Sequence, residues 1–402
     1  MASTLTPDTV EHEYRWTLNF GPQHPATHTT LRLVLQIEGE TVVGADPDIG
    51  YLHSGFEKIG EHLNYNQYVT VTDRMNYLSP LANNVAWHHA VETLFEIDVP
   101  KRCHYIRIIL AELSRIGDHL VSCGAMALDT GAFTAFLYAF NERENLYRMF
   151  ETICGARFTT SYTRVGGLMY DATPEFIQQV RDFVKRYPRI YSDFTRLLYR
   201  NRIFVERTKG IGVLTKEEAL SRSATGPIAR ASGVSRDLRK DAPYMTYGDF
   251  DFNVICSTGG DCFHRFLVRM EETLESLKII EQAIENLPEG PVSVDTGERI
   301  VLPDKEKVYN TIEGCITHFE VIMTNRGMRA PMAECYSATE APNGELGFYL
   351  VGDGSDKAYR ARCRPPSFIH FAMFPHLMKG HSISDVVAVL GSLNIIAAEL
   401  DR

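Results

Sequence analysis

From Pro80 onward the chain repeats apolar residues at three- and four-residue steps, most clearly in Ile106, Ile109, Leu110, Leu113, Ile116, Leu120 and Val121. That is the period of a helix with one face in a core. Stretches at about 80–97, 132–154, 174–201 and 261–286 carry the same signature, the third opening on Thr173-Pro174, an N-cap and a first-turn proline. Helices of this kind stack into a bundle. The flanks read differently. Residues 31–37 and 40–43, joined across Glu38-Gly39, predict a hairpin in which Gly39 supplies positive φ. After Pro288 a short helix near 312–323 precedes three strands at 334–340, 345–351 and 357–364, separated by Asn343-Gly344 and Gly352-Asp353-Gly354. The expected fold is α+β: mostly helical bundle, with small N-terminal and C-terminal antiparallel sheets. Its parts are a flexible polar arm over 1–13, an α+β region over 14–75, the bundle over 76–290 and a second α+β region over 291–402.

Composition narrows the function. A net charge of −10 with no local basic patch argues against nucleic-acid binding. The eight cysteines are scattered with no C-x-x-C pair, so a zinc or iron–sulfur site made by this chain alone is not expected, and reduced thiols are. The longest apolar run, 386–400, is interrupted by Ser392, Asn394 and Glu399 and falls short of the roughly 20 residues that span a bilayer. Work at a membrane would need partners to hold the chain there.

Two short segments concentrate the reactive groups. GPQHPATH at 21–28 and TDRMNY at 72–77 place His24, His28 and Tyr77 near the N-terminus, with no nucleotide-binding loop anywhere in the chain. Such groups suit binding and protonating something small. The His24/His28 spacing would fit two metal ligands on a helical face, but Pro25 disfavours a helix, so a rigid loop is expected. Taken alone, Tyr77 is a buried aromatic with a hydroxyl to satisfy, and His28 a loop histidine.

The same segments, with IGYLHSGFEK (49–58), TDRMNYLSP (72–80), ALDTGAF (127–133), FNERENLY (140–147), TEAPNGELGFYLVGDGSDKAYR (339–360), RPPSF (364–368) and the terminal LDR (400–402), resemble the D-type subunit of NADH:quinone oxidoreductase, respiratory complex I. The resemblance covers essentially the whole chain after the arm. That family is in turn similar to the large subunit of nickel–iron hydrogenases, whose R-x-C-G-x-C and D-P-C-x-x-C pairs hold the metals. Here Asn76 and Ser79 fall at the first pair of cysteine positions and Ile396 and Glu399 at the second. An amide, a hydroxyl, an alkyl group and one carboxylate cannot replace four soft thiolates, so the hydrogenase reading fails on chemistry.

The resemblance implies a hydrogenase-large-subunit-like fold and a quinone headgroup site made by His28, Tyr77 and Asp129. Tyr77 and His28 would be proton donors and Asp129 the hydrogen-bond partner of His28. It further implies a pocket lined by His24, Arg74, Ser79, Phe136 and Ile396, and a surface of Ser54, Arg74 and Thr159 facing the terminal iron–sulfur cluster of a partner subunit. Ser54 and Thr159 depart from the family, where an arginine and a histidine are common, and Thr29 replaces a glycine that often follows the second histidine. Quinone would be the substrate, no metal or flavin would be bound by this chain, and catalysis would belong to the assembled complex. The implied partners are the iron–sulfur subunit, other peripheral-arm subunits and a membrane-arm subunit at the quinone entry. The implied location is peripheral, at the cytoplasmic face of the cell inner membrane. Two rivals remain: a non-catalytic scaffold, and the equivalent subunit of a complex fed by ferredoxin or another donor.

Overall fold

The computed structural model describes residues 15–28, 30–295, 300–324 and 326–402, so the expected arm and Thr29 lie outside the described residues. The N-terminal sheet has three strands, β1 (Arg15–Phe20), β2 (Arg32–Glu38) and β3 (Thr41–Asp48), all antiparallel. The expected hairpin is β2–β3, with a register shift at Gln36/Ile37. β1 was not expected from the sequence; its side chains are mostly exposed and half-exposed, so it lacks the apolar alternation that marks a buried strand.

The bundle follows the periodic stretches. Its principal elements are α1 (Phe56–Gly60), α2 (Val69–Met75), α3 (Pro80–Phe95), α4 (Lys101–Asp129), α5 (Phe133–Cys154), α6 (Pro174–Leu198) and α7 (Cys262–Glu285). The Thr173 hydroxyl accepts the Phe176 N–H at 3.2 Å with Pro174 at the first position of α6, as expected, while Pro188 is carried inside that helix. Between α6 and α7 run short helices such as Arg202–Glu206, Lys216–Ser221 and Gly226–Ala231, too short to show a period in the sequence.

α4 runs through the middle, about 43 Å long at 1.5 Å per residue. It packs against α3, α5 and α7, so it is buried on nearly every side and not on one face only. Its extra faces carry Arg107, Glu112, Arg115, Asp118 and His119, all buried. Arg107 grips Glu92 of α3 with both terminal nitrogens, at 2.8 and 2.7 Å, Arg115 pairs with Glu112 on the same helix, and His119 lies 3.1 Å from Glu272 of α7.

The C-terminal sheet is β4 (Glu334–Ala341), β5 (Gly344–Gly352) and β6 (Ala358–Arg364), antiparallel in that order. Its first turn is pressed against the bundle. Gly344 has φ +140°, and a Cβ there would stand 2.6 Å from the Thr225 hydroxyl, so glycine is required on both conformational and steric grounds. The apolar run at the end splits into α8 (Asp385–Leu393) and α9 (Ala397–Asp401), broken by Asn394 in the left-handed region. Among the described residues no helix is long and apolar enough to cross a membrane.

Candidate functional site

The GPQHPATH segment forms one 3-10 turn, Pro25–Thr27, tied by its own polar groups. His24 caps it: Nδ1 accepts the Ala26 N–H at 3.2 Å, and the ring lies 4.1 Å from that of Phe20. The Thr27 hydroxyl donates to the His24 carbonyl at 2.8 Å. His28 ends the turn at φ +54°, a left-handed conformation that costs an L-residue roughly 1–2 kcal/mol. What it gains is Asp129, whose Oδ2 lies 2.6 Å from His28 Nε2. The Asp129 side chain is only 8% exposed and closes the C-terminal end of α4, where the helix dipole disfavours a negative charge. The hydrogen bond to Asp129 raises the His28 pKa above the ordinary histidine value, burial opposes this, and the carboxylate's charge adds to the rise. Gly391 of α8 makes room, since a Cβ there would come within 3.3 Å of Asp129 Oδ2.

Tyr77 lies just beyond α2. Asn76 shapes the turn by accepting the N–H groups of Leu78 and Ser79 at 3.2 and 3.3 Å, and Ser79-Pro80 starts α3. The Tyr77 ring is 6.2 Å from Phe158, and among the described residues its hydroxyl has no hydrogen-bond partner. Burial raises its pKa, with Arg143 lowering it and Asp118 raising it further. Arg143, on α5, is buried yet has neither a hydrogen bond nor an ion pair among the described residues; its guanidinium lies over the Tyr147 ring at 4.9 Å. Asp118 precedes Asp129 by eleven residues, about three helical turns, so both acids sit on one face of α4 roughly 16 Å apart.

The remaining expected residues divide. Ile396 and Ser79 are buried, Phe136 is half-buried beside Phe140 with ring centroids 4.3 Å apart, and Arg74 is exposed with its guanidinium on the Thr70 carbonyl. Ser54 and Thr159 are exposed. Asp73, next to Arg74, accepts from the Ser161 hydroxyl and so ties the segment carrying Thr159 to α2. The loop carrying Ser54 is clasped by the C-terminus: Asp401 accepts the N–H groups of Gly50 and Leu52 at 2.8 and 2.7 Å, and Arg402 lies 4.0 Å over the Phe368 ring. Arg360 adds ion pairs to Glu57 and Glu61 at 2.8 and 2.9 Å. Four of the segments that carry the resemblance thus meet in one cluster.

Two features were not read from the sequence. One is a set of buried polar groups left wholly or partly unpaired, among them Arg143 and Asp118, whose charges act on Tyr77, and Glu399; only the packing reveals what they lack. The other is a cavity of about 420 Å³ lined by Thr70, Arg164, Leu302, Ile322 and Met328 among others, which includes none of the expected site residues. Its walls are largely apolar, with Tyr65, whose pKa burial raises, and Arg164, whose pKa burial lowers, among them. Phe158, beside Tyr77, and Phe133, Leu137 and Tyr138 of α5 expose 42–56% of their surface. Among the described residues no group of three or more His, Cys, Asp and Glu side chains could hold a metal ion.

With an α+β helical protein, a His–Asp pair and an unpartnered tyrosine in view, comparison with known proteins gives the class. The family of the respiratory-chain NADH dehydrogenase 49 kDa subunit matches residues 129–402. The chain is 46% identical over 388 residues to the D-type subunit of the NADH-quinone oxidoreductase of Methylacidiphilum infernorum, covering 96% of this chain and 92% of that one. It is 47% identical over 386 residues to the corresponding protein of Geotalea uraniireducens, covering 96% and 98%, and 48% identical over 386 residues to that of Sorangium cellulosum, covering 96% and 95%. The chain belongs to this 49 kDa, or D-type, family of complex I proteins.

Proposed function

We propose that this chain is the quinone-binding core subunit of a proton-pumping NADH:quinone oxidoreductase, active only in the assembled complex. The observation that carries the reading is the pairing of a nearly buried Asp129 with His28, together with a Tyr77 hydroxyl that has no partner among the described residues. A quinone that gains two electrons has strongly basic oxygens, and two positioned donors meet that need. Tyr77 donates its phenolic proton to one oxygen. His28, held protonated by Asp129, donates from its imidazole to the other, and the Asp129 charge stays to stabilise what remains. Electrons come from the terminal cluster of an iron–sulfur partner, which docks at the exposed aromatic wall of α5 and at Ser54, Arg74 and Thr159. His24, Ser79, Phe136 and Ile396 line the pocket, within a hydrogenase-like frame emptied of its thiolates. The complex places this chain at the cytoplasmic face of the inner membrane, next to the membrane-arm subunit where quinone enters.

Tyr77→Phe keeps the ring and removes the donor. Quinone reductase activity of the complex is expected to fall about 10²-fold, the usual worth of a general acid, while reduction of an artificial acceptor upstream of quinone stays at the wild-type rate. Equal loss of both activities would mean misassembly. Unchanged quinone turnover in Tyr77→Phe and in His28→Ala would favour the scaffold reading.

A further inference from the structure

Behind Tyr77 lies a second set of ionisable groups that the proposed chemistry does not use. Asp118 of α4 and Glu399 of α9 are 0% and 1% exposed, and among the described residues neither carboxyl has an arginine or lysine within 4 Å. One polar network holds both. Asn394 Nδ2 donates to Asp118 Oδ2 at 2.9 Å and to Asn343 Oδ1 at 2.8 Å, and Asn343 Nδ2 returns a bond to the Asn394 carbonyl at 3.1 Å. The Asn343 amide also faces Glu399, whose Oε2 accepts the Ser367 hydroxyl at 2.7 Å. Each acid keeps one oxygen, Asp118 Oδ1 and Glu399 Oε1, buried without a hydrogen bond.

Burying two such charges without cations in contact is costly, and the cost disappears for a carboxyl that holds a proton. Burial raises the Asp118 pKa, with His119, Arg269, Asn394 and Arg143 pulling it back in part. Burial pushes Glu399 up to about 8, Ser367 and Asn343 oppose this, Asp118 adds to it, and Arg364 opposes it. The cations near Asp118 are partly spoken for or weakened: His119 is held low by burial and lies 3.1 Å from Glu272, and burial lowers Arg143 and Arg269. On the other side burial raises the Tyr77 pKa, and Asp118 lies close enough for its charge to raise it further. α9 packs against α2, and the residues flanking Tyr77 carry buried polar atoms of their own without partners, Asn76 Nδ2 and Ser79 Oγ. Such atoms are the ones ordered water bridges.

We infer that Asp118 and Glu399 hold one shared proton in the interior and return it to Tyr77 after that residue has protonated the quinone. This rests on the function proposed above. The balance is simple: quinone takes two electrons from the partner's cluster, one proton from Tyr77 and one from His28, and leaves as quinol. Tyr77 remains as phenolate until Glu399 gives up its proton with Asp118 as relay, and the pair and His28 each regain one proton from solvent before the next turnover.

The test uses the whole complex, with glutamate carrying carbon-13 in its carboxyl groups. In the wild type, infrared difference spectra between oxidised and quinol-reduced states should show a protonated-carboxyl stretch that moves with the label. Glu399→Gln should lose it. The same variant should reduce quinone at near wild-type rate in mildly acidic buffer, where solvent supplies protons, and fall roughly tenfold behind near neutral pH, where Glu399 still holds its proton, the gap closing at alkaline pH as the wild type loses that proton too, with KM for quinone unchanged. Asp118→Asn should show the same pH-selective loss with the labelled band still present. No labelled band in the wild type, or a band that survives in Glu399→Gln, overturns the shared proton. A wild-type pH profile in both variants overturns its delivery to Tyr77. The infrared measurement needs no variant that folds poorly, and an inert Tyr77→Phe would sink the quinone reading separately from the band.

Discussion

The two halves of α4 are equally buried and are treated oppositely. In the first half, Arg107 is matched to Glu92, and Glu112 accepts from Arg115, Arg239, Tyr247 and Ser276 at once. Burial works against the Glu112 charge, and Arg115 and Arg239 together outweigh it, holding the carboxyl at about 2. In the second half Asp118 keeps an orphaned oxygen, and nearby Arg143 and Arg269 have no hydrogen bond or ion pair among the described residues. Asp129, at the end, pairs with a histidine whose charge depends on pH. A buried charge that is fully paired can do little except hold elements together. One left partly unpaired is costly to the fold and free to respond to a proton or a ligand. The helix is a strut at one end and carries incompletely paired charge at the other.

The sharpest way to break that contrast is to unpair the strut. Glu112→Ala removes the carboxylate shared by Arg115 and Arg239, leaving Arg115 only backbone carbonyls and Asp237 as the one acid in contact with the two guanidinium groups, and should destabilise the chain by about 3 kcal/mol. Thermal unfolding and yield of assembled complex would report it, with both quinone and upstream activities lost together. Asp118→Asn, on the same helix, should leave the melting temperature within a few degrees because it removes a charge that lacks a contacting arginine or lysine. If the two variants unfolded alike, the halves would not differ as described.

A smaller effect is expected at Asp129. The folded His28 pKa is raised, so its contribution is fully present below the ordinary value of about 6.5 and is lost as pH rises through the raised value. Asp129→Asn removes the cause of the rise and leaves burial, which lowers the pKa. The alkaline fall in quinone turnover should therefore move to lower pH, with a rate loss at neutral pH of about tenfold or less. An alkaline limb that did not move would separate His28 from the rate-limiting protonation.

Most of this architecture was legible because period reports burial. The five long helices, the β2–β3 hairpin and the three C-terminal strands all follow apolar spacing and turn residues such as Gly39 and Gly344. β1 was not legible, since Arg15–Phe20 is half solvated and gains its identity from pairing with β2. The short helices between α6 and α7 are too brief for a period and are set by caps, as with Thr215 and Glu218, which cap each other across Lys216–Ser221. His28 and Asp129 were named from segment resemblance, and no spacing rule joins residues 101 apart in the chain. The interior set of Asp118, Asn343, Asn394 and Glu399 was invisible for a related reason. Its members come from four separate elements, and an unpaired group is a property of packing, not of local sequence.

The smallest expected effect lies outside the interior altogether, at Thr159. This side chain is exposed, as is Ser54, and neither titrates near neutral pH. On the proposed reading both face the partner's terminal cluster, where reduction adds a negative charge. A nearby histidine able to take up a proton would offset that charge, by about 4 kcal/mol for unit charges 4 Å apart at an effective dielectric of 20. Solvent exposure and salt would cut this to a fraction, leaving a shift on the order of tens of millivolts. The native complex should therefore show a terminal-cluster midpoint potential with little pH dependence, and Thr159→His should raise the potential most at acidic pH, where the imidazole is charged. A redox titration at several pH values, followed by the cluster's paramagnetic signal, measures both. A steep pH dependence in the native complex would mean that some other ionisable group fills this role, and the contrast between a responsive interior and an inert cluster-facing surface would then fail.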